Sequence, residues 1–234
     1  SVAQADIVLH MAAFIYGDEK QIYLVNVEGT KNLISFSKNK RFIFLSTKNV
    51  LDKYRNAYSE SKKECEKMVA KIKNHLILRV SAVFGEGDTK NFATLIRLCE
   101  TVPFVLVPGD GKAKMQPVHV SDVAQLVLKG IQKEVKGTYI IAGKDRVTLN
   151  EIVHELSRLL NKKVYIVHLP LFLIYGVIRL NELIFRHPFV TWARVANITR
   201  TNVFDMRETI RVFGYEPKTF AEGLKWTIEK RHSS

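Results

Sequence analysis

Cysteine is almost absent from this chain: there are two in 234 residues, Cys65 and Cys99, each inside a stretch of helical periodicity. Two distant cysteines offer no metal-ligand spacing and suit a reducing compartment. The seven histidines form neither an H-x-x-x-H pair nor a His/Cys cluster, which argues against a metal site. Long apolar runs are missing too. Residues 169–178 (LPLFLIYGVI) are uncharged, but ten residues fall short of a bilayer. They read as packing inside a lobe, with shallow docking on a membrane surface as the sharper alternative. No secretory leader pattern opens the sequence. The expected setting is cytoplasmic, with peripheral membrane contact left open.

Basic residues are plentiful: 36 Lys and Arg against 23 Asp and Glu give a net charge of +13, which favours anionic contacts. They are spread along the chain, so a lysine-rich solvated surface is a better reading than a nucleic-acid footprint. At 47% hydrophobic, the chain can bury a substantial core as one domain, or as a domain with a lobe.

Apolar runs at 6–11, 42–45 and 76–80 alternate with helical patterns at 19–37 and 55–72. Continuous apolar strands joined by helices imply a parallel sheet covered on both faces. A helix at 91–99, short strands at 104–107 and 116–120 around P-G-D-G, a helix at 121–132 and a strand at 138–142 follow. Beyond Gly143 the rhythm is mostly helical. Thr148 and Glu151 form a capping box, 164–168 reads as a strand and 170–185 as a helix. Asp205 is positioned to cap a helix stopped by Gly214, and Thr219 with Glu222 starts the last one.

The most informative stretch is A-Y-S-E-S-K-K-E-C-E-K-M-V, residues 57–69. Helical spacing sets Tyr58 and Lys62 on one face, and continues that face through Cys65, Val69 and Ile72. A lysine in line with an inward stripe, while Lys63, Lys67 and Lys71 sit elsewhere, marks a working pair.

Seven segments, in order, resemble the extended and atypical branches of the short-chain dehydrogenase/reductase superfamily, related to nucleotide-sugar epimerases. They are D-I-V-L-H-M-A-A (6–13), N-V-E-G-T-K-N-L (26–33), F-I-F-L-S-T (42–47), Y-S-E-S-K (58–62), L-R-V-S-A-V-F-G-E-G-D (78–88), Q-P-V-H-V-S-D-V-A (116–124) and F-G-Y-E-P (213–217). The resemblance implies a doubly wound, Rossmann-like α/β fold and NAD or NADP as cofactor. Tyr58 would be the general acid or base, Lys62 would hold the nicotinamide ribose and lower the phenol pKa, and Thr47, or Ser46 beside it, would orient the substrate oxygen. Ala12 and Ala13 would let the cofactor approach the backbone. Val80, Ser81 and Val83 would line the nicotinamide pocket, and Asn26, Phe84, Met115 and Gln116 would support the site. Asn26 and Gly29 equally admit a reading as close helix packing, and His119 and Asp122 read as braces of a strand-to-helix turn.

Two departures matter. The superfamily's opening G-x-x-G-x-x-G turn does not occur in these residues, so the fold is expected to lack its first βαβ portion here, roughly 60 residues estimated from two βα units. The strand at 6–11 would then be a sheet edge. Only ten residues separate Thr47 from Tyr58, and Met115 stands where nucleotide-sugar epimerases often carry a phosphate-gripping arginine. Both features look closer to the atypical branch that includes the nucleotide-binding accessory subunit of respiratory complex I. The expected organisation is a partial NAD(P)-binding core at 1–143 and a mostly helical substrate lobe at 144–234, with 81–120 also contributing to the pocket. The expected activity is an NAD(P)-dependent oxidoreductase or epimerase acting on a small alcohol, carbonyl compound or nucleotide sugar. The alternative is a non-catalytic, NADP(H)-stabilised accessory or membrane-docking protein. Dimerisation through the Tyr58 helix is a further expectation from the resemblance.

Overall fold

Short apolar runs become the strands of a four-stranded parallel sheet in the computed structural model, which describes residues 5–15, 17–37, 39–52, 55–89, 91–184 and 192–232. The first elements are β1 (Ile7–His10), α1 (Glu19–Tyr23), a π turn (Leu24–Glu28), α2 (Gly29–Ser35), β2 (Arg41–Thr47), α3 (Ala57–Val69) and β3 (His75–Val80). Next come β4 (Val83–Phe84), α4 (Phe92–Thr101), β5 (Phe104–Pro108), β6 (Lys114–Met115), β7 (Val118–His119), α5 (Val120–Gln132) and β8 (Gly137–Ile141). The rest are β9 (Val147–Thr148), α6 (Leu149–Leu159), β10 (Tyr165–Leu169), α7 (Leu171–Ile184), α8 (Trp192–Thr199), α9 (Arg207–Phe213) and α10 (Phe220–His232). They fall into two units: residues 1–81, 123–141 and 206–216 form unit 1, and 82–122, 142–205 and 217–234 form unit 2.

Unit 1 holds the sheet, in the order β1-β2-β3-β8 with every pairing parallel. Phe42, Ile43 and Phe44 of β2 are fully buried, so the strand is apolar on both faces, as parallel sheets require. On one face Val8, Phe42, Phe44 and Ile77 pack against Val27, Cys65 and Val69. Each such Phe contributes roughly 2–3 kcal/mol by burial. On the opposite face α5 lies close enough for a Cβ at Gly130 to meet Leu76 at 2.8 Å. Arg41, at the start of β2, donates to the carbonyls of Gly130 and Val135 at 2.6 and 2.9 Å, a cation on the last turn of α5 and just beyond it. β1 lies at one edge of the sheet.

Unit 2 packs three two-stranded pieces, β5–β10, β4–β7 and β6–β9, with helices. Its core joins Val105 and Val107 of β5 to Ile96 and Cys99 of α4, Ile152 and Leu156 of α6, and Phe220, Leu224 and Ile228 of α10. Gly143 is required here, because a Cβ would run into the Pro117 carbonyl. Among the described residues, no helix is long and apolar enough to cross a membrane.

Local chemistry set most element ends. The Thr148–Glu151 box opens α6, Thr219 and Glu222 exchange bonds of 2.9 and 3.3 Å ahead of α10, and Gly214 ends α9 at φ 62°. Three expectations need correction. The helix at 19–37 is interrupted by the π turn. The strand at 116–120 shrinks to Val118–His119, with α5 already begun at Val120. Met206, not Asp205, occupies the N-cap of α9. The bridges β4, β6 and β9, two residues each, are too short to leave a period in the sequence. Phe185, the expected end of α7, lies outside the described residues.

Candidate active site

Helix α3 owes its register to a capping box at Asn56. Asn56 Oδ1 accepts from the Ser59 amide at 2.9 Å, and Ser59 Oγ accepts from the Asn56 amide at 2.9 Å. Such boxes are worth about 1 kcal/mol, and this one fixes Tyr58 in the first turn and Lys62 one turn later. Lys62 is 2% exposed, while Lys67 and Lys71 are solvated. Cys65 and Val69 continue its face into the core, and Ile72 lies just beyond the helix, partly buried.

Lys62 lies against an aromatic ring. Its Nζ lies 3.9 Å above the Phe44 ring, and among the described residues it makes no hydrogen bond or ion pair. Burial lowers its pKa from 10.5 to about 8, partly opposed by Cys65 and Glu66. Glu66 itself is engaged with Arg79, which grips it through Nε at 3.0 Å and Nη2 at 2.6 Å. Strand alternation carries the Phe44 face on to Ser46, which pairs in register with Arg79. Among the described residues, Ser46 Oγ is buried without a hydrogen-bond partner. Thr47 falls on the other face by the same alternation, and its Oγ1 accepts from the Asn49 amide at 3.3 Å.

Asn26 sits inside the π turn and binds three segments together. Its Oδ1 accepts from the Phe14 amide at 2.7 Å, and its Nδ2 donates to the Phe14 carbonyl at 3.0 Å and to Ser61 Oγ at 2.8 Å. Its carbonyl accepts from Thr30 Oγ1 at 2.5 Å and from Cys65 Sγ at 3.2 Å. The Gly29 amide reaches five residues back to Leu24, which is the widening that defines the turn. The loop after β1, which includes Ala12 and Ala13, is thereby tied to α3. A Cβ at Gly29 would meet nothing within 4 Å, so close helix packing does not explain that glycine.

His10 extends the ladder. Thr30 gives its proton to the Asn26 carbonyl, so it accepts from His10 Nε2 at 2.9 Å, which fixes the neutral Nε2–H tautomer. Burial first, and the Lys62 charge second, hold its pKa at about 4 instead of 6.5.

Val80 ends β3 in unit 1, and just past it the Ser81 amide donates to the Ile141 carbonyl at 2.8 Å. The other four candidates belong to unit 2. Val83 is half-open on β4, and Met115 packs against the core. Phe84 is enclosed by Phe92, Phe220 and His119. Gln116 is used up as a brace, donating to the Gly143 carbonyl at 2.7 Å and accepting from the Phe204 amide at 2.8 Å. His119 stacks on Trp226 and bonds Ser121 Oγ at 2.8 Å, while Asp122 takes the Lys218 ammonium at 2.7 Å, so both brace the turn into α5.

Sequence reasoning missed His10, Phe44, Ser61 and the Asn56–Ser59 box. Only the box had a local signal, Asn and Ser three apart before a helix.

A sequence profile of the NAD dependent epimerase/dehydratase family matches residues 1–142. Among curated relatives, the chain is 26% identical over 235 aligned residues to the N-acetyl-alpha-D-glucosaminyl-diphospho-ditrans,octacis-undecaprenol 4-epimerase of Escherichia coli O157:H7, covering 88% of this chain and 71% of that protein. It is 27% identical over 236 residues to the UDP-glucose 4-epimerase of Vibrio cholerae, covering 88% and 68%. Relatives also include decarboxylases and sterol dehydrogenases, and the chain spans between 48% and 77% of their lengths. The fold matches that of RMD from Pseudomonas aeruginosa complexed with NADPH, with a TM-score of 0.74 at 18% identity over 98% of this chain and 82% of that one. The relatives are enzymes, which does not favour a non-catalytic accessory protein. The chain belongs to the NAD dependent epimerase/dehydratase family, enzymes of the extended short-chain dehydrogenase/reductase type that use a nicotinamide cofactor.

Proposed function

We propose that the protein is an NAD(P)-dependent oxidoreductase or epimerase that exchanges hydride at a carbinol or carbonyl carbon, with Tyr58 and Lys62 at its centre. The observation that carries this reading is Lys62: a buried side chain, still mainly protonated at neutral pH and, among the described residues, without an ion-pair partner, one turn from Tyr58. A lone buried charge is unfavourable unless something arrives to meet it. Nicotinamide-ribose hydroxyls fit that need, and the unpartnered Ser46 Oγ fits a further polar group. A bound nicotinamide supplies the hydride donor or acceptor.

Tyr58 gives or takes the proton at the substrate oxygen, and the Lys62 cation stabilises negative charge developing there. Thr47 or Ser46 orients that oxygen. Asn26 is a positioning residue that holds the loop after β1 against α3. Ala12, Ala13, Val80, Ser81 and Val83 approach the cofactor, with residues 1–143 as the cofactor-binding part and 144–234 selecting the substrate. The relatives' names support either a sugar carried on a nucleotide or polyprenyl diphosphate or a sterol alcohol.

Tyr58→Phe tests the mechanism. Turnover of an alcohol substrate with NAD or NADP should fall by about 10²–10⁴-fold with an unchanged melting temperature. Unchanged turnover would remove Tyr58 from the chemistry. Titration with NADH and NADPH, followed by fluorescence, should show binding that Lys62→Met weakens more than Tyr58→Phe does.

A further inference from the structure

The outward face of the β5–β10 sheet is apolar where a solvated sheet face is ordinarily polar. Phe104 pairs with Tyr165 and Leu106 with Val167. Alternation sends Val105 and Val107 into the core of unit 2 and leaves Phe104, Leu106, Tyr165 and Val167 at 48%, 53%, 55% and 43% exposed. The surface continues into α7, where Phe172 and Leu173 are 73% and 50% exposed. The Leu171 side chain comes within 3.7 Å of a Cβ position on Gly109, just past β5, so sheet end and helix start are contiguous. A contiguous apolar patch of this kind marks an interaction site.

Charge in this part of the chain has one dominant sign. Lys162 and Lys163, just before β10, are both exposed, with Lys162 Nζ donating to the Glu100 carbonyl, and in sequence residues 162–200 hold six Lys and Arg against one acid. Lys163 Nζ lies 5.1 Å over the Tyr165 ring, so one cation already borders the aromatic face. Aromatic and leucine side chains bordered by cations match the interface of an anionic bilayer, where apolar groups enter the acyl boundary and ammonium groups meet phosphates.

We propose that this face docks unit 2 on the surface of an anionic phospholipid bilayer, with Phe172 and Leu173 inserted and Lys162 and Lys163 at the headgroups. The docking does not rest on the Tyr58 chemistry, and vesicle binding is read without turnover. The test is co-sedimentation with phosphatidylcholine vesicles, with and without phosphatidylglycerol, at low and high salt. The protein should bind the anionic vesicles, more weakly at high salt. Phe172→Glu with Leu173→Glu should reduce binding by about tenfold or more, and Lys162→Ser or Lys163→Ser by about fivefold each. Tyr58→Phe should bind as the parent does. Three results would overturn the proposal: no sedimentation with anionic vesicles, a double variant that binds undiminished, which would leave basic charge alone as the cause, or a parent dimer that the double variant dissociates, which would make a second copy the occupant.

Discussion

The parallel strands β2 and β5 are both rich in Phe, Val, Leu and Ile, yet their surroundings give that chemistry different uses. In β2 both faces are buried, and the polar groups are confined to its two ends, Arg41 at the start and Ser46 and Thr47 at the carboxyl end. In β5 one face is buried and the other, equally apolar, is open. The difference teaches that composition marks a strand, whereas burial decides whether its side chains support a catalytic end or form a surface. It also separates two kinds of lysine: Lys62 pressed over an aromatic ring inside unit 1, and Lys163 beside one on the surface of unit 2.

The contrast breaks most sharply at the aromatic residues. Phe44→Ala should destabilise by about 3–5 kcal/mol in urea unfolding, since it opens a cavity and removes the ring beneath Lys62. Lys62→Met should have the opposite sign. Its folded pKa of about 8 lies below the unfolded 10.5, so the unfolded chain holds more protons between those values. The penalty is complete below pH 8 and disappears as pH rises through 10.5. The variant should therefore be more stable than the parent at pH 7, by up to about 3 kcal/mol, with the gap closing across that window. A variant of equal stability at pH 7 would mean that the ammonium is well solvated after all.

His10 supplies the acid-side counterpart. Its folded pKa of about 4 lies below 6.5, so the parent should lose stability as pH falls from 6.5 towards 4, by up to about 3 kcal/mol. His10→Gln should flatten that limb, and Lys62→Met should reduce it because the neighbouring charge is gone. The smallest effect belongs to the open face. Leu106→Ser should change stability by no more than about 0.5 kcal/mol, and a loss as large as that of Phe44→Ala would show that the face is core.

Much of the sheet and of α3 was legible because their signals are local. Continuous apolar runs announced β2 and β3, and the spacing of Tyr58, Lys62, Cys65 and Val69 announced an inward stripe. What surrounds Lys62 was not legible, because Phe44 and His10 reach it through tertiary packing across strands. Nor could sequence separate Ser46 from Thr47. Neighbouring hydroxyls look alike until the register with β3 assigns them to opposite faces. Gln116 illustrates the reverse case: a polar residue in a matching motif that is spent on backbone groups.

The π turn at Leu24–Glu28 has a consequence for reading the helix that contains it. One extra residue is accommodated there, so α2 runs out of phase with α1 by about 100°. A helical wheel drawn through 19–35 therefore assigns the wrong faces after Glu28. Forcing all of 19–35 into a regular helix would rotate Thr30 away from His10 and Leu33 away from the core, whereas deleting Val25 would remove the extra residue and let a regular helix keep both on their present faces, so the aberrant turn is the frame in which the segment's pattern makes sense.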